Sequence, residues 1–156
     1  KFHTMRISLI IVFMLLVSIG YSQELPKSIR VHFTNFIEMH TDSQIPLDSA
    51  FYFPDVQSYE TTDCTYLLDF QLNECSVYFE DSLVGKAPII SVQQVQPTYR
   101  TEFDVWEYII KLDDVSIDTE IRISIESNSF LYSYGLDDIN DRIIQFPIST
   151  VITVSE

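Results

Sequence analysis

The stretch "IRISIE", residues 121–126, alternates apolar and polar side chains without interruption. Successive side chains of an extended strand point to opposite sides, so its three isoleucines would share one face and its three polar residues the other. Such a period of two is typical of a strand with one buried face. The stretch therefore predicts a half-buried β-strand and sets the pattern to look for elsewhere.

Comparable segments recur along the chain, separated by Asp, Ser, Asn and Pro clusters. They are "SIRVHFTNFIEM", "CTYLLDFQL", "CSVYFED", "APIISVQQV", "RTEFDVWEYIIKL", "TEIRISIES" and "RIIQFPISTVITV". No segment shows a 3.6-residue period. Strands at this spacing, without helical patterns, predict an all-β fold, namely a single antiparallel β-sandwich of about eight strands.

The N-terminal stretch "MRISLIIVFMLLVSIGYSQ" has the features of a secretory signal peptide. Arg6 precedes an apolar run that is shorter than the roughly 20 residues a membrane-spanning helix needs. We expect cleavage before Gln23, so that residues 1–22 are the upstream residues and signal peptide and residues 23–156 the domain. The protein would then be secreted or periplasmic; a retained signal anchor is the alternative.

The chain is strongly acidic, with a formal net charge of −14 that falls to −16 once Lys1 and Arg6 are removed with the signal peptide. This charge disfavours nucleic acid and bare anionic lipid as direct partners. An anionic surface would have to be reached through a bridging cation. Solubility alone is the simpler explanation of the charge.

Two cysteines, Cys64 and Cys75, belong to a chain expected in an oxidising compartment, where disulfides are common. If "TYLLDFQ" and "SVYFED" form a hairpin that turns at Asn73 and Glu74, the two thiols lie near opposite ends of it. This separation exceeds the reach of a disulfide. We therefore expect two unpaired, inward-facing thiols, and a disulfide would mean that this register is wrong.

Motifs for catalysis are not recognisable in the sequence, and we predict no catalytic residues. Only His32 and His40 remain after Gln23, and no phosphate-binding glycine loop or nucleophile elbow occurs. We expect His32 to face solvent on a strand and His40 to lie in a loop. A glycan-directed enzyme that uses paired carboxylates is the remaining enzymatic alternative.

Four segments, in order, resemble the calcium-dependent lipid-binding C2 domain family. "QPTYRTEFDV" is similar to its N-P-x-W-N-E-x-F-x-F segment, and "TTDCTYLLDF" to its S-D-P-Y strand, with Cys64 in place of proline. "TEIRISIESNSF" looks like its L-x-I-x-V-x-D-x-D strand and loop, and "GLDDINDRIIQFPIST" like its C-terminal ending. The resemblance covers residues 28 to 151.

The resemblance implies a calcium site at one tip of a sandwich, built from oxygen ligands. Carried over by position, the candidate ligands are Asp55, Asp63, Glu126, Asn128, Asp137 and Asp138. Glu126 and Asn128 stand where the family has aspartates, so the resemblance implies that calcium binding is weak or lost.

An insertion in the last loop, "SFLYSYGL", would present an apolar and aromatic tip. Its binding residues would be Phe130, Leu131, Tyr132 and Tyr134, unless one or two of them cap the core. The expected function is a secreted, non-catalytic C2-like module that engages a membrane surface or a partner protein, with calcium as a possible bridge. The alternative is an acidic structural or interaction subunit of an envelope or extracellular assembly, without calcium.

Overall fold

The computed structural model describes residues 24–42, 44, 56–95, 106–114, 116–136 and 141–156. The described residues form nine strands and no helix, so none of them belongs to a helix that could cross a membrane. The strands are β1 (Ser28–Asp42), β2 (Val56–Asp69), β3 (Glu74–Phe79), β4 (Ser82–Gln94), β5 (Tyr108–Leu112), β6 (Ile117–Ser124), β7 (Ser129–Gly135), β8 (Asp141–Pro147) and β9 (Thr150–Ser155).

The first eight strands close into an antiparallel barrel. Each strand pairs with the next in sequence, and β8 returns to pair with β1, from Phe36 opposite Pro147 to Asp42 opposite Asp141. β9 is an extra strand that pairs with the first half of β1, from Ser28 opposite Ser155 to Phe33 opposite Thr150. β8 and β9 therefore follow one another along the same edge of β1.

The predicted β-sandwich, and with it the C2-like assignment, is wrong. Alternation within a strand shows that one of its faces is buried, but it does not show whether the last strand pairs with the first. Here that pairing exists and joins residues more than 100 positions apart, as for Glu38 and Gln145. The pairing of β8 with β1 joins strands that would be edge strands in a sandwich of two open sheets.

The side of β1 that faces the interior changes along the strand. Up to Phe33, its odd-numbered residues belong to the interior core. The pairing with β2 shifts register between Phe33 and Asn35. Beyond the shift, Phe36 packs against the interior core, while Ile37 and Met39 belong to a separate cluster. A one-residue register change exchanges the faces of all the side chains that follow it.

The barrel interior is filled by side chains from β1 to β7. Phe33, Tyr66 and Phe130 form its aromatic centre, with ring centroids 5.0 to 6.0 Å apart. Each fully buried large side chain contributes roughly 1.5–3 kcal/mol through loss of water contact. An eight-stranded barrel is just wide enough for its side chains to fill, so this core excludes a large internal ligand.

A second apolar cluster lies on the outer side of the wall formed by β1, β7 and β8. It consists of Met39, Trp106, Leu131 and Ile144, with Ile37 and Phe146 packed against it. Leu131 and Ile144 are fully buried although their neighbours Phe130 and Gln145 face inward. This part of the wall is therefore covered on both of its faces.

The predicted hairpin of β2 and β3 is present, but its turn falls at Phe70–Asn73, and Glu74 already pairs with Asp69. Both cysteines are free thiols in the structure. Cys64 pairs with Phe79, four residues along β3 from Cys75. Burial raises the pKa of Cys64 to about 11 and that of Cys75 to about 12, so both thiols stay protonated at neutral pH.

Candidate functional site

The structure does not bring the described residues of the predicted calcium site together. Asp63 lies on the outer face of β2, more than half exposed and 3.7 Å from His32, which is a partly exposed residue of β1 as expected. Glu126 and Asn128 occupy the turn between β6 and β7. Asp55, Asp137 and Asp138 fall outside the described residues. Within the described part of the chain, no group of three or more acidic, histidine or cysteine side chains is arranged to hold a metal ion.

Asn128 has a structural role that its sequence position did not reveal. Its side-chain amide donates to the carbonyl of Thr150, and its amide oxygen accepts from the backbone N–H of Ile152 at 3.1 Å. The Thr150 hydroxyl in turn donates to the Asn128 carbonyl. Asn128 adopts a positive φ of 51°, which asparagine tolerates better than most residues. Asn128 therefore connects the β6–β7 turn to β9, the strand that follows β8 along the edge of β1.

The predicted aromatic tip at residues 130–134 lies in β7 and not in a loop. Phe130 belongs to the interior core and Leu131 to the outer cluster, and both are fully buried. Tyr132 packs against the interior core, and its ring centroid lies 5.4 Å from that of Tyr134. This placement matches the alternative in which residues of this segment cap the core.

A polar cluster faces the barrel interior beyond these tyrosines. Gln145 is paired with Tyr132 on β7 and with Glu38 on β1, and residues paired directly across a ladder share a face. Since Tyr132 contacts the interior core, Glu38 and Gln145 also point inward. The side-chain amide of Gln145 donates to Glu38 at 3.0 Å.

His40 joins two strands within this cluster. Its Nδ1 donates to Asp141 Oδ2 at 3.1 Å, and its Nε2 lies 3.5 Å from Glu38 Oε1. On the other side of the tyrosine pair, the Tyr132 hydroxyl donates to Asp114 Oδ2 at 3.3 Å. We call this region the acidic end of the barrel, defined by Glu38, His40, Asp114, Tyr132, Tyr134 and Asp141.

Three titratable groups of the acidic end have raised pKa values. The hydrogen bond from His40 to Asp141 raises the pKa of the imidazole. Desolvation opposes this rise, and Glu38 adds to it. Burial, followed by the charge of Asp114, raises the pKa of Tyr132. Burial, followed by the charges of Glu38 and Asp141, raises the pKa of Tyr134. The carboxylates therefore contribute to all three shifts, as the leading cause for His40 and after burial for the two tyrosines.

A small pocket of about 100 Å³ borders Tyr132 at this end. Its lining combines interior apolar side chains with one carboxylate and one lysine, whose ammonium bonds Glu74, and consists of Tyr66, Cys75, Val77, Gly85, Lys86, Ala87, Leu112, Asp114 and Tyr132. A Cβ at Gly85 would meet no atom within 4 Å, so the glycine leaves open space there. The pocket has room for a small chemical group but not for a lipid or a sugar chain.

Comparison with known proteins assigns no relative. No family model matches the chain, and no curated protein or solved structure matches it either. The C2 resemblance thus has no support from these comparisons, and the closed barrel contradicts it.

Of the six residues that define the acidic end, the sequence predicted only Tyr132 and Tyr134 as site residues. His40 was expected in a loop but lies in β1, and Glu38, Asp114 and Asp141 were not among the predicted site residues. The contact between His40 and Asp141 spans 101 positions, so no short motif could have indicated it. A local signal did exist, since Glu38 and His40 alternate with the apolar Ile37 and Met39.

Proposed function

We propose that the protein is a non-catalytic binding module that takes a small organic cation, such as an ammonium or quaternary ammonium group, at the acidic end of its barrel. The supporting observation is the adjacent, tilted ring pair Tyr132 and Tyr134, set between the carboxylate of Asp114 and those of Glu38 and Asp141. Aromatic faces and carboxylates are the two groups that attract an organic cation most strongly.

The size of the site narrows the ligand further. The barrel core is filled, and the pocket beside Tyr132 measures about 100 Å³, so only a compact head group fits. Desolvation by the apolar lining, which includes Val77 and Leu112, favours a weakly hydrated cation. An alkylated ammonium meets that condition better than a hard metal ion, which prefers several oxygen ligands.

A test can compare melting temperatures of the chain in increasing concentrations of tetramethylammonium, sodium, calcium and magnesium chlorides. A ligand that binds only the folded state stabilises it by mass action, by about 2.7 kcal/mol at 100 times its Kd. We expect a saturable rise with tetramethylammonium beyond that given by sodium chloride at the same ionic strength.

Two variants locate the effect. The double variant Asp114→Asn/Asp141→Asn should lose most of the tetramethylammonium response, while Asp63→Asn removes an exposed carboxylate from the outer wall and should keep it. Equal responses to tetramethylammonium and sodium in the unchanged protein would refute the proposal. A calcium response that disappears in Asp63→Asn alone would instead favour the calcium site implied by the sequence resemblance.

A further inference from the structure

β4 changes partner halfway along its length. Its first part pairs with β3, from Phe79 opposite Ser82 to Glu74 opposite Pro88, and its second part pairs with β5, from Ile89 onward. The last bond on the β5 side runs from the Asp113 N–H to the Pro88 carbonyl at 2.9 Å. Within the described residues, no strand therefore pairs with residues 82–87 on their β5 side.

The side chains show that this edge is open to solvent. Leu83 is 49% exposed and Val84 is 62% exposed, and Phe79 beside them is 43% exposed. Lys86 does not cover the edge, because its Nζ bonds Glu74 on β3 at 2.6 Å. An uncovered strand edge with exposed apolar side chains is a template for pairing with another strand.

The charge of β4 differs from that of the rest of the chain. The protein has 23 acidic residues, yet residues 82–101 contain none, and Lys86 is the only charged residue in β4. Two copies of a chain with net charge −14 repel one another over most of their surface. Residues 82–87 themselves carry no carboxylate, although Asp81 precedes them and Asp113 and Asp114 border the same edge.

We propose that residues 82–87 of β4 form a homodimer interface, in which two copies pair antiparallel about a two-fold axis and join their barrels into one continuous sheet. Such an isologous contact uses the same edge on both chains. The segment without acidic residues in one copy therefore lies against the same segment in the other. This inference does not rest on the proposed cation site, but the two adjoin, because Gly85, Lys86, Ala87 and Asp114 also line the pocket beside Tyr132.

The interface is small, because six residues on each chain bury less than the roughly 1,200 Å² of a stable complex. We therefore expect a concentration-dependent dimer, measured by sedimentation equilibrium of the ligand-free protein from about 5 to 500 µM. Screening of the net charge should strengthen the association at higher salt.

Matched variants test the edge. Val84→Lys places a cation in the part of β4 that β5 does not pair, at the residue where the register with β3 shifts, and should raise the dimer Kd at least tenfold. Ile90→Lys makes the same chemical change on the same strand, at a residue 65% exposed in the part that β5 pairs, and should leave the Kd within about threefold. Circular dichroism and melting curves confirm that both variants fold. A protein that stays monomeric throughout the range, or two variants with equal effects, would overturn the proposal.

Discussion

The two halves of β1 share one strand but contribute opposite kinds of side chain to the barrel interior. The first half buries Ile29, Val31 and Phe33 there, each at most 3% exposed. The second half, after the register shift, turns Glu38 and His40 inward and sends Met39 to the outer cluster. One register change thus divides the interior into a dry core and a polar, acidic end.

The largest effect is expected when the polarity of an inward-facing residue is reversed in each half of β1. Ile29→Glu would bury an unpaired charge at a fully buried position, at a cost comparable with the whole stability of a domain, about 5 kcal/mol or more. We expect this variant not to fold. Glu38→Ile, in the second half, should cost no more than about 1 kcal/mol, since Glu38 is partly exposed.

Urea unfolding followed by circular dichroism measures both variants. The contrast fails if Ile29→Glu folds with near-normal stability. It also fails if Glu38→Ile is as damaging as Ile29→Glu, because the two halves would then be equally intolerant of a change in polarity.

A second test compares neighbours on opposite faces of the second half. Met39 is 7% exposed in the outer cluster, so Met39→Ala should cost about 2–5 kcal/mol through lost burial and a residual cavity. His40→Ala, one residue further, should cost less than about 1 kcal/mol. Chemical denaturation gives both values. Equal costs would mean that the outer cluster is not a true core.

How much of this arrangement the sequence predicts depends on the range of the interactions. Alternation identified the strands, including Ile121 and Ile123 as interior residues of β6. The β2–β3 hairpin followed from two neighbouring strand segments, although its turn was predicted at Asn73 and Glu74 and lies at Phe70–Asn73. Barrel closure did not, because the pairing of β1 with β8 is set by contacts over about 100 residues.

The acidic end was unpredictable for a related reason. The register shift within β1 decides which of Met39 and His40 faces inward, and it arises from pairing with β2 and not from β1 alone. The calcium residues were inferred from a sandwich in which two loops meet at one tip. In the barrel, the turn that carries Asn128 adjoins β9, and Asp63 lies on the wall.

The first half of β1 pairs with β2 on one side and with β9 on the other. Asn128 anchors β9 to the β6–β7 turn. Asn128→Ala removes two side-chain hydrogen bonds and a residue suited to positive φ, so it should cost about 1–3 kcal/mol. Asn128→Asp keeps the acceptor for the Ile152 N–H but loses the donor to the Thr150 carbonyl. Its stability should therefore lie between that of the unchanged protein and that of Asn128→Ala. Hydrogen exchange checks this: in the variants, relative to the unchanged protein, the amides of β9 should exchange faster while those of β3 change less. Uniformly faster exchange would argue against a local role.

The smallest effect is the pH dependence of stability that His40 should give to the second half of β1. Because Asp141 raises the pKa of His40 above 6.5, protonated His40 stabilises the fold fully below that unfolded-state value. The contribution is then lost as pH rises through the raised folded-state pKa. Melting curves from pH 5.5 to 8.5 should therefore show a loss of stability above pH 6.5 that is reduced in His40→Gln. His32→Gln, which changes the outward-facing histidine of the first half, serves as the control. If both variants flatten the profile equally, the acidic end is not the source of the pH dependence.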